Sequence, residues 1–91
     1  MKAFWFGERK NVVGLKIREL RKEKHLTIRD LAAQIQVNGH SDITENTITK
    51  IEHGDRFVPD YELIYFAEAL NTNVEQLLEY YYRFPNESEP D

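Results

Sequence analysis

Apolar residues recur along this chain at the spacing of one helical face, broken at intervals by capping residues, and the pattern predicts five helices. The first runs from about Val13 to Lys24, with Val13, Ile17 and Leu20 at i, i+4, i+7 and charged residues on the other faces. The second opens at Thr27, whose hydroxyl is placed to cap a free N–H while Asp30 reciprocates; Leu26 and Leu31 form a hydrophobic staple, and Leu31, Ala32 and Ile35 face inward. The third repeats this grammar, with Thr44 as cap, Ile43 and Ile48 as staple and a stop at His53-Gly54. Its outward residues are Glu45, Asn46, Thr49 and Lys50. The fourth follows Pro59-Asp60 and buries Leu63, Phe66, Ala67 and Leu70, with Asn71 as a left-handed stop. The fifth begins at Asn73 and Gln76 in capping-box spacing and carries Val74, Leu77, Leu78 and Tyr81.

An all-α domain is expected, with one core. Its 91 residues, 41% apolar and 31% charged, suit a single soluble unit with little room for a deep ligand pocket and an incentive to dimerise. The pattern divides the chain into an N-terminal arm at 1–11, a helical domain at 12–82 and an acidic tail at 83–91, whose prolines and carboxylates predict disorder. The absence of cysteine removes disulfides, thiolate metal sites and thiol catalysis, and fits a reducing interior. Phe4-Trp5-Phe6 is too short for a signal-peptide core, and nothing approaches the ~20 apolar residues of a membrane span, so a cytoplasmic protein without membrane contact is expected.

The net charge of −4 argues at first against polyphosphate, but its distribution does not. Up to residue 58, eleven bases stand against eight acids, a net +3; beyond it one base faces eight acids, a net −7. A mildly basic front and an acidic rear would orient the molecule on DNA.

Two short helices joined by a glycine-bearing turn describe any helical hairpin as well as a DNA-binding one. The residues go further. Ile17-Arg18-Glu19-Leu20-Arg21, Leu26-Thr27, Leu31-Ala32, Thr47-Ile48-Thr49-Lys50-Ile51-Glu52-His53-Gly54, Leu70 and Leu77-Leu78 resemble the five-helix lambda-repressor-like, or Xre, family of helix-turn-helix regulators over roughly residues 12–80. That resemblance implies a third helix lying in the major groove, where each base pair shows a distinct donor and acceptor pattern. Carried over, the base readers are Glu45, Asn46, Thr49 and Lys50. Thr27, Arg29, Thr44, Thr47, His53 and Arg56 fall near phosphates, and Arg21 with Glu52 forms an internal ion pair. It further implies a homodimer on a pseudo-palindromic operator, and a repressor as the simplest regulator.

The chain departs from the family at two places. Ile28 stands where a phosphate-binding glutamine is common, and the segment from Gln36 to Ile43 is about twice the usual turn of 3 to 4 residues. The Asn38-Gly39 signal predicts an extended loop that leaves the third helix in place, the alternative being a tilt of that helix.

Other features have plainer readings. His40-Ser41-Asp42 holds the residue types of a hydrolase triad, but neighbours in a loop cannot align as one, so no enzyme is expected. His25, His40 and His53 lack the close pairing of a helical zinc site, so neither metal nor cofactor is expected. The triplet Asn86-Glu87-Ser88 fits a glycosylation acceptor without a secretion signal and carries no weight. The aromatic sets Phe4-Trp5-Phe6 and Tyr80, Tyr81, Tyr82 and Phe84 either pack on their own core or meet a partner, and the second set is taken as the dimerisation surface. The rival to a DNA-binding regulator is a protein-interaction module of the same fold, antitoxin-like, with weak or no DNA binding; acidic net charge, Glu45 and Ile28 favour it.

Overall fold

The structure, a computed structural model, describes residues 8–83. Its elements are α1 (Gly14–Glu23), α2 (Ile28–Val37), α3 (Glu45–His53), α4 (Asp60–Ala69), α5 (Val74–Leu77) and α6 (Glu79–Arg83). Among the described residues the fold is all-helical, as the periodicity predicts. The expected fifth helix is divided at Leu78, whose N–H reaches the carbonyls of both Val74 and Glu75, and the chain re-enters a helix one residue later. The aromatic set of Phe4-Trp5-Phe6, Phe84 and the acidic tail beyond Arg83 lie outside the described residues.

α3 packs against α1 and α2, and α4 closes over α2 and α5. Ile17, Leu31, Ile35, Ile43, Ile48, Ile51, Phe66, Leu70 and Leu77 are wholly buried at the centre. Both halves of the α3 staple, Ile43 and Ile48, are therefore in the core, which fixes where the chain enters that helix. Ala32 is buried on α2. Leu63, expected in the buried stripe of α4, is half-buried, and Glu62 takes an interior place beside it.

Capping follows the local chemistry closely. Thr27 accepts from the Asp30 N–H at 3.0 Å while its own N–H donates to the Asp30 carboxylate at 2.9 Å. Thr44 accepts from the Thr47 N–H, and Asn73 from the Gln76 N–H. α3 ends on Gly54 at φ 81°, where the N–H groups of Gly54 and Asp55 turn back to the carbonyls of Ile51 and Lys50. Asn71 ends α4 at φ 54°, and His25 performs the same turn after α1 at φ 59°. The segment between α2 and α3 is held at both ends. The Gln36 side chain donates to the Ile43 carbonyl at 3.1 Å, and the His40 N–H donates to the Ile35 carbonyl.

Candidate nucleic-acid interface

α3 divides its residues sharply. Ile48, Ile51 and Glu52 are buried, whereas Glu45, Asn46, Lys50 and His53 are exposed and Thr47 and Thr49 half-buried. The side chains of Glu45, Asn46 and Lys50 make no hydrogen bond or ion pair among the described residues, so their donors and acceptors are open to solvent. Asn46 and Lys50 stand one turn apart on the same face, as do Glu45 and Thr49. Thr49 donates its hydroxyl to the Glu45 carbonyl at 3.0 Å, which commits its proton within the helix and leaves its oxygen able to accept.

The start of α3 and the outer side of α2 enclose an open cleft of about 420 Å³ lined by Arg29, Ala32, Ala33, Gln36, Thr44, Glu45 and Asn46. The fold thus brings together four of the residues singled out from sequence, Arg29, Thr44, Glu45 and Asn46, with Thr49 and Lys50 a turn further along the helix. His53 is exposed at the far end of α3. Thr44 and Thr47 share a hydroxyl–hydroxyl hydrogen bond of 3.0 Å, so one hydroxyl proton is committed within the cap.

Two of the expected phosphate residues are engaged elsewhere. Thr27 is bound to Asp30, whose carboxyl is held below its usual range first by the Thr27 N–H and then by the Thr27 hydroxyl. An anion therefore already stands at the start of α2, where the positive end of the helix would otherwise attract phosphate. Arg56 forks onto Glu62 through both terminal nitrogens, at 2.6 and 3.1 Å, and Glu62's hydrogen bond holds the guanidinium above its ordinary value. The carboxylate it neutralises is almost wholly buried.

The inner side of α3 is fixed by charge as well as packing. Arg21 on α1 meets Glu52 bidentately, Nε to Oε2 at 2.8 Å and a terminal nitrogen to Oε1 at 3.0 Å, with both side chains buried. Its remaining nitrogen donates to the Leu26 carbonyl at 2.8 Å, so one guanidinium ties α1, the α1–α2 turn and α3.

A further clamp carried no signal in the periodicity. The last carbonyls of a helix have no partner within it, and here residues of the arm supply one. A terminal nitrogen of Arg9 donates to the carbonyls of Glu52 at 2.7 Å and Ile51 at 3.3 Å. The Asn11 amide donates to the carbonyls of Ile51 and Arg56 at 3.0 and 2.9 Å, and its oxygen accepts from the Gly14 N–H at 2.8 Å. The Lys10 N–H donates to the Gly54 carbonyl at 2.8 Å. Burial lowers the Arg9 guanidinium from its ordinary value, partly offset by Asp55. A cation at this end of α3 also suits the helix dipole. Apart from the bond between Asn11 and Gly14, which is local, these contacts join residues forty or more positions apart.

Of the aromatic residues taken as a dimer surface, Tyr80 turns inward and donates its hydroxyl to Glu19, while Lys16 lies over its ring. Tyr81 is half-buried against the core, and Tyr82 is 65% exposed with its ring edge-on to that of Tyr81.

A buried pair of helices, the second of which presents an unpartnered polar face beside a cleft shared with the first, defines a helix-turn-helix unit. A family model described as a helix-turn-helix domain matches residues 14–83, and the chain belongs to that family. That membership points to a DNA-binding regulator. No curated protein and no solved structure matches the chain. Among the described residues no helix is long and apolar enough to cross a membrane, and no three His, Asp or Glu side chains cluster as a metal site would require.

Proposed function

We propose that this chain is a sequence-specific DNA-binding transcriptional regulator of the Xre type, a cytoplasmic repressor that occludes a pseudo-palindromic operator as a homodimer. The observation that carries the reading is the open outer face of α3, where Glu45, Asn46 and Lys50 keep all their hydrogen-bonding capacity while the inner face and both ends of the helix are fixed. In the major groove, Asn46 matches the N6 and N7 edge of adenine, Lys50 the O6 and N7 of guanine and Glu45 the N4 amine of cytosine, with the Thr49 methyl suited to thymine. Arg29, Thr44, Thr47 and His53 flank that face and suit backbone contacts. Thr27 and Arg56 hold a lesser place, since each is engaged within the fold.

Among the described residues Tyr82 is the aromatic side chain best suited to a subunit contact, with Tyr80 and Tyr81 packed behind it against the core. An isologous dimer would set its two α3 helices in successive major grooves about 34 Å apart. The Asp30 carboxylate at the start of α2, together with Ile28, favours the second reading, a protein-interaction module with weak duplex affinity. Selection of bound duplexes from a random pool separates the two. Enrichment of an inverted repeat with half-sites a helical turn apart, bound with steeply salt-dependent affinity, supports the regulator; weak, unselective binding even at low salt supports the module.

A further inference from the structure

The extended segment between α2 and α3 completes a surface on α4. His40 lies flat on Tyr65 of α4, ring centroids 3.5 Å apart and planes 11° from parallel, and its Nε2 stands 3.8 Å from a Glu68 carboxylate oxygen. Tyr61 meets Tyr65 edge-on at 5.9 Å and 61°. Tyr61 and Ile64, three residues apart on one face of α4, are each 52% exposed. A helix that buries Phe66, Ala67 and Leu70 thus also carries an aromatic and aliphatic face on its outer side, with a loop histidine stacked onto it.

The charges around that face decide what fits it. Asp42 from the loop and Asp60 and Glu68 from α4 are exposed. Asp42, Tyr61, Glu62 and Glu68 all act, after burial, to raise the Tyr65 hydroxyl above its ordinary value. Arg56, which senses Asp42, is already forked onto Glu62. A polyphosphate is repelled by such a rim. A second copy of the same face would set carboxylates against carboxylates, which disfavours an isologous contact.

We propose that the outer face of α4, formed by Tyr61, Ile64 and Tyr65 and completed by His40, docks a segment of a partner protein carrying arginine beside an apolar side chain. The planar guanidinium stacks on the exposed Tyr61 ring and forks onto a rim carboxylate, as an ammonium cannot, while the apolar residue covers Ile64. This surface is separate from α3, so partner docking and duplex reading rest on different residues.

Display of random dodecapeptides against the immobilised full chain tests it, followed by fluorescence anisotropy of the most enriched sequence as a synthetic peptide. The expected peptides pair arginine with an aromatic or aliphatic residue and bind more weakly as salt rises. The double variant Tyr61→Ser/Ile64→Ser is expected to weaken binding about tenfold, and Glu68→Lys to weaken it as well. Both should keep the wild-type circular dichroism and duplex preference. Failure to enrich any peptide, or enriched peptides that bind wild type and both variants equally, overturns the proposal. So does sedimentation showing a wild-type dimer that Tyr61→Ser/Ile64→Ser dissociates, since the occupant is then a second copy.

Discussion

Gly14 sits where α1 begins, against the carbonyl end of α3. A Cβ placed there would lie 2.1 Å from the Ile51 oxygen, 2.6 Å from an Arg9 terminal nitrogen and 2.9 Å from the Asn11 side-chain oxygen. Exchange of glycine for alanine within a helix ordinarily stabilises by about 1 kcal/mol. Here the sign reverses: Gly14→Ala is expected to destabilise by about 3 kcal/mol, the upper range for forced overpacking, as measured by urea unfolding. A stabilised variant would show that α1 and α3 do not approach this closely. Arg21→Ala strands Glu52 in the interior and should cost about 3 to 5 kcal/mol, whereas Arg21→Met/Glu52→Leu should recover most of that loss. Equal losses in the single and double variants would contradict an ionic origin. At this scale the sequence was legible where the chemistry is local. Thr27, Thr44, Gly54, Asn71 and Asn73 act on backbone groups within a few residues and announce themselves by type and spacing. Arg9 leaves no such mark, because its partners, Ile51 and Glu52, are brought to it only by the folded chain.

Among the elements, α6 is joined to α1 by polar contacts rather than by a wholly apolar stripe. Lys16, buried on α1, meets Glu19 at 2.7 Å and Glu79 at 2.6 Å, and these hydrogen bonds raise its ammonium to about 12 from an ordinary 10.5. Glu19 and Glu79 are correspondingly held below their ordinary value, in each case first by Lys16. A raised folded value favours the charged folded form, so the Lys16 contribution is full below about 10.5 and lost as pH rises through about 12. The carboxylate contribution runs the other way: present above 4.5, it is lost as pH falls through the depressed folded values. The difference in melting temperature between wild type and Lys16→Met should therefore hold near neutrality and shrink above pH 10.5. A difference unchanged up to pH 12 would mean that the Lys16 charge is not its source. Periodicity could not foresee this arrangement. It read Val74, Leu77, Leu78 and Tyr81 as one continuous stripe, whereas Leu77 alone is wholly buried and the helix breaks after it. Likewise Glu62 and Lys16 look like solvated positions in sequence and lie inside because an opposite charge awaits each, Arg56 six residues before Glu62 and Glu79 far along the chain from Lys16.

Across the molecule, the uneven charge along the chain becomes an uneven surface. Arg18 and Lys22 on α1, Lys24 just past it, Arg29 on α2 and Lys50 on α3 are exposed, while Glu68 and Glu75 are exposed on α4 and α5. Exposed Asp30 and Glu45 balance Arg29 and Lys50 on α2 and α3, so the basic excess lies along α1, and α4 and α5 present the acidic side that a polyanion avoids. α3 is fixed by three independent devices: the buried Ile43 and Ile48 at its start, the Arg21–Glu52 pair along its inner side and the Arg9 and Asn11 clamp at its end. Sequence alone located the helix, its start and its outward residues; the clamp that holds its far end needed the fold. The central claim, that α3 reads base edges with its open outer residues, is tested most directly by comparing Lys50→Ala with wild type on a selected duplex and on a scrambled one of equal length and salt. A loss of about 1 to 3 kcal/mol confined to the selected duplex is the predicted result, since a base contact carries sequence information and a phosphate contact does not. Equal losses on both duplexes would place Lys50 on the backbone and contradict the account.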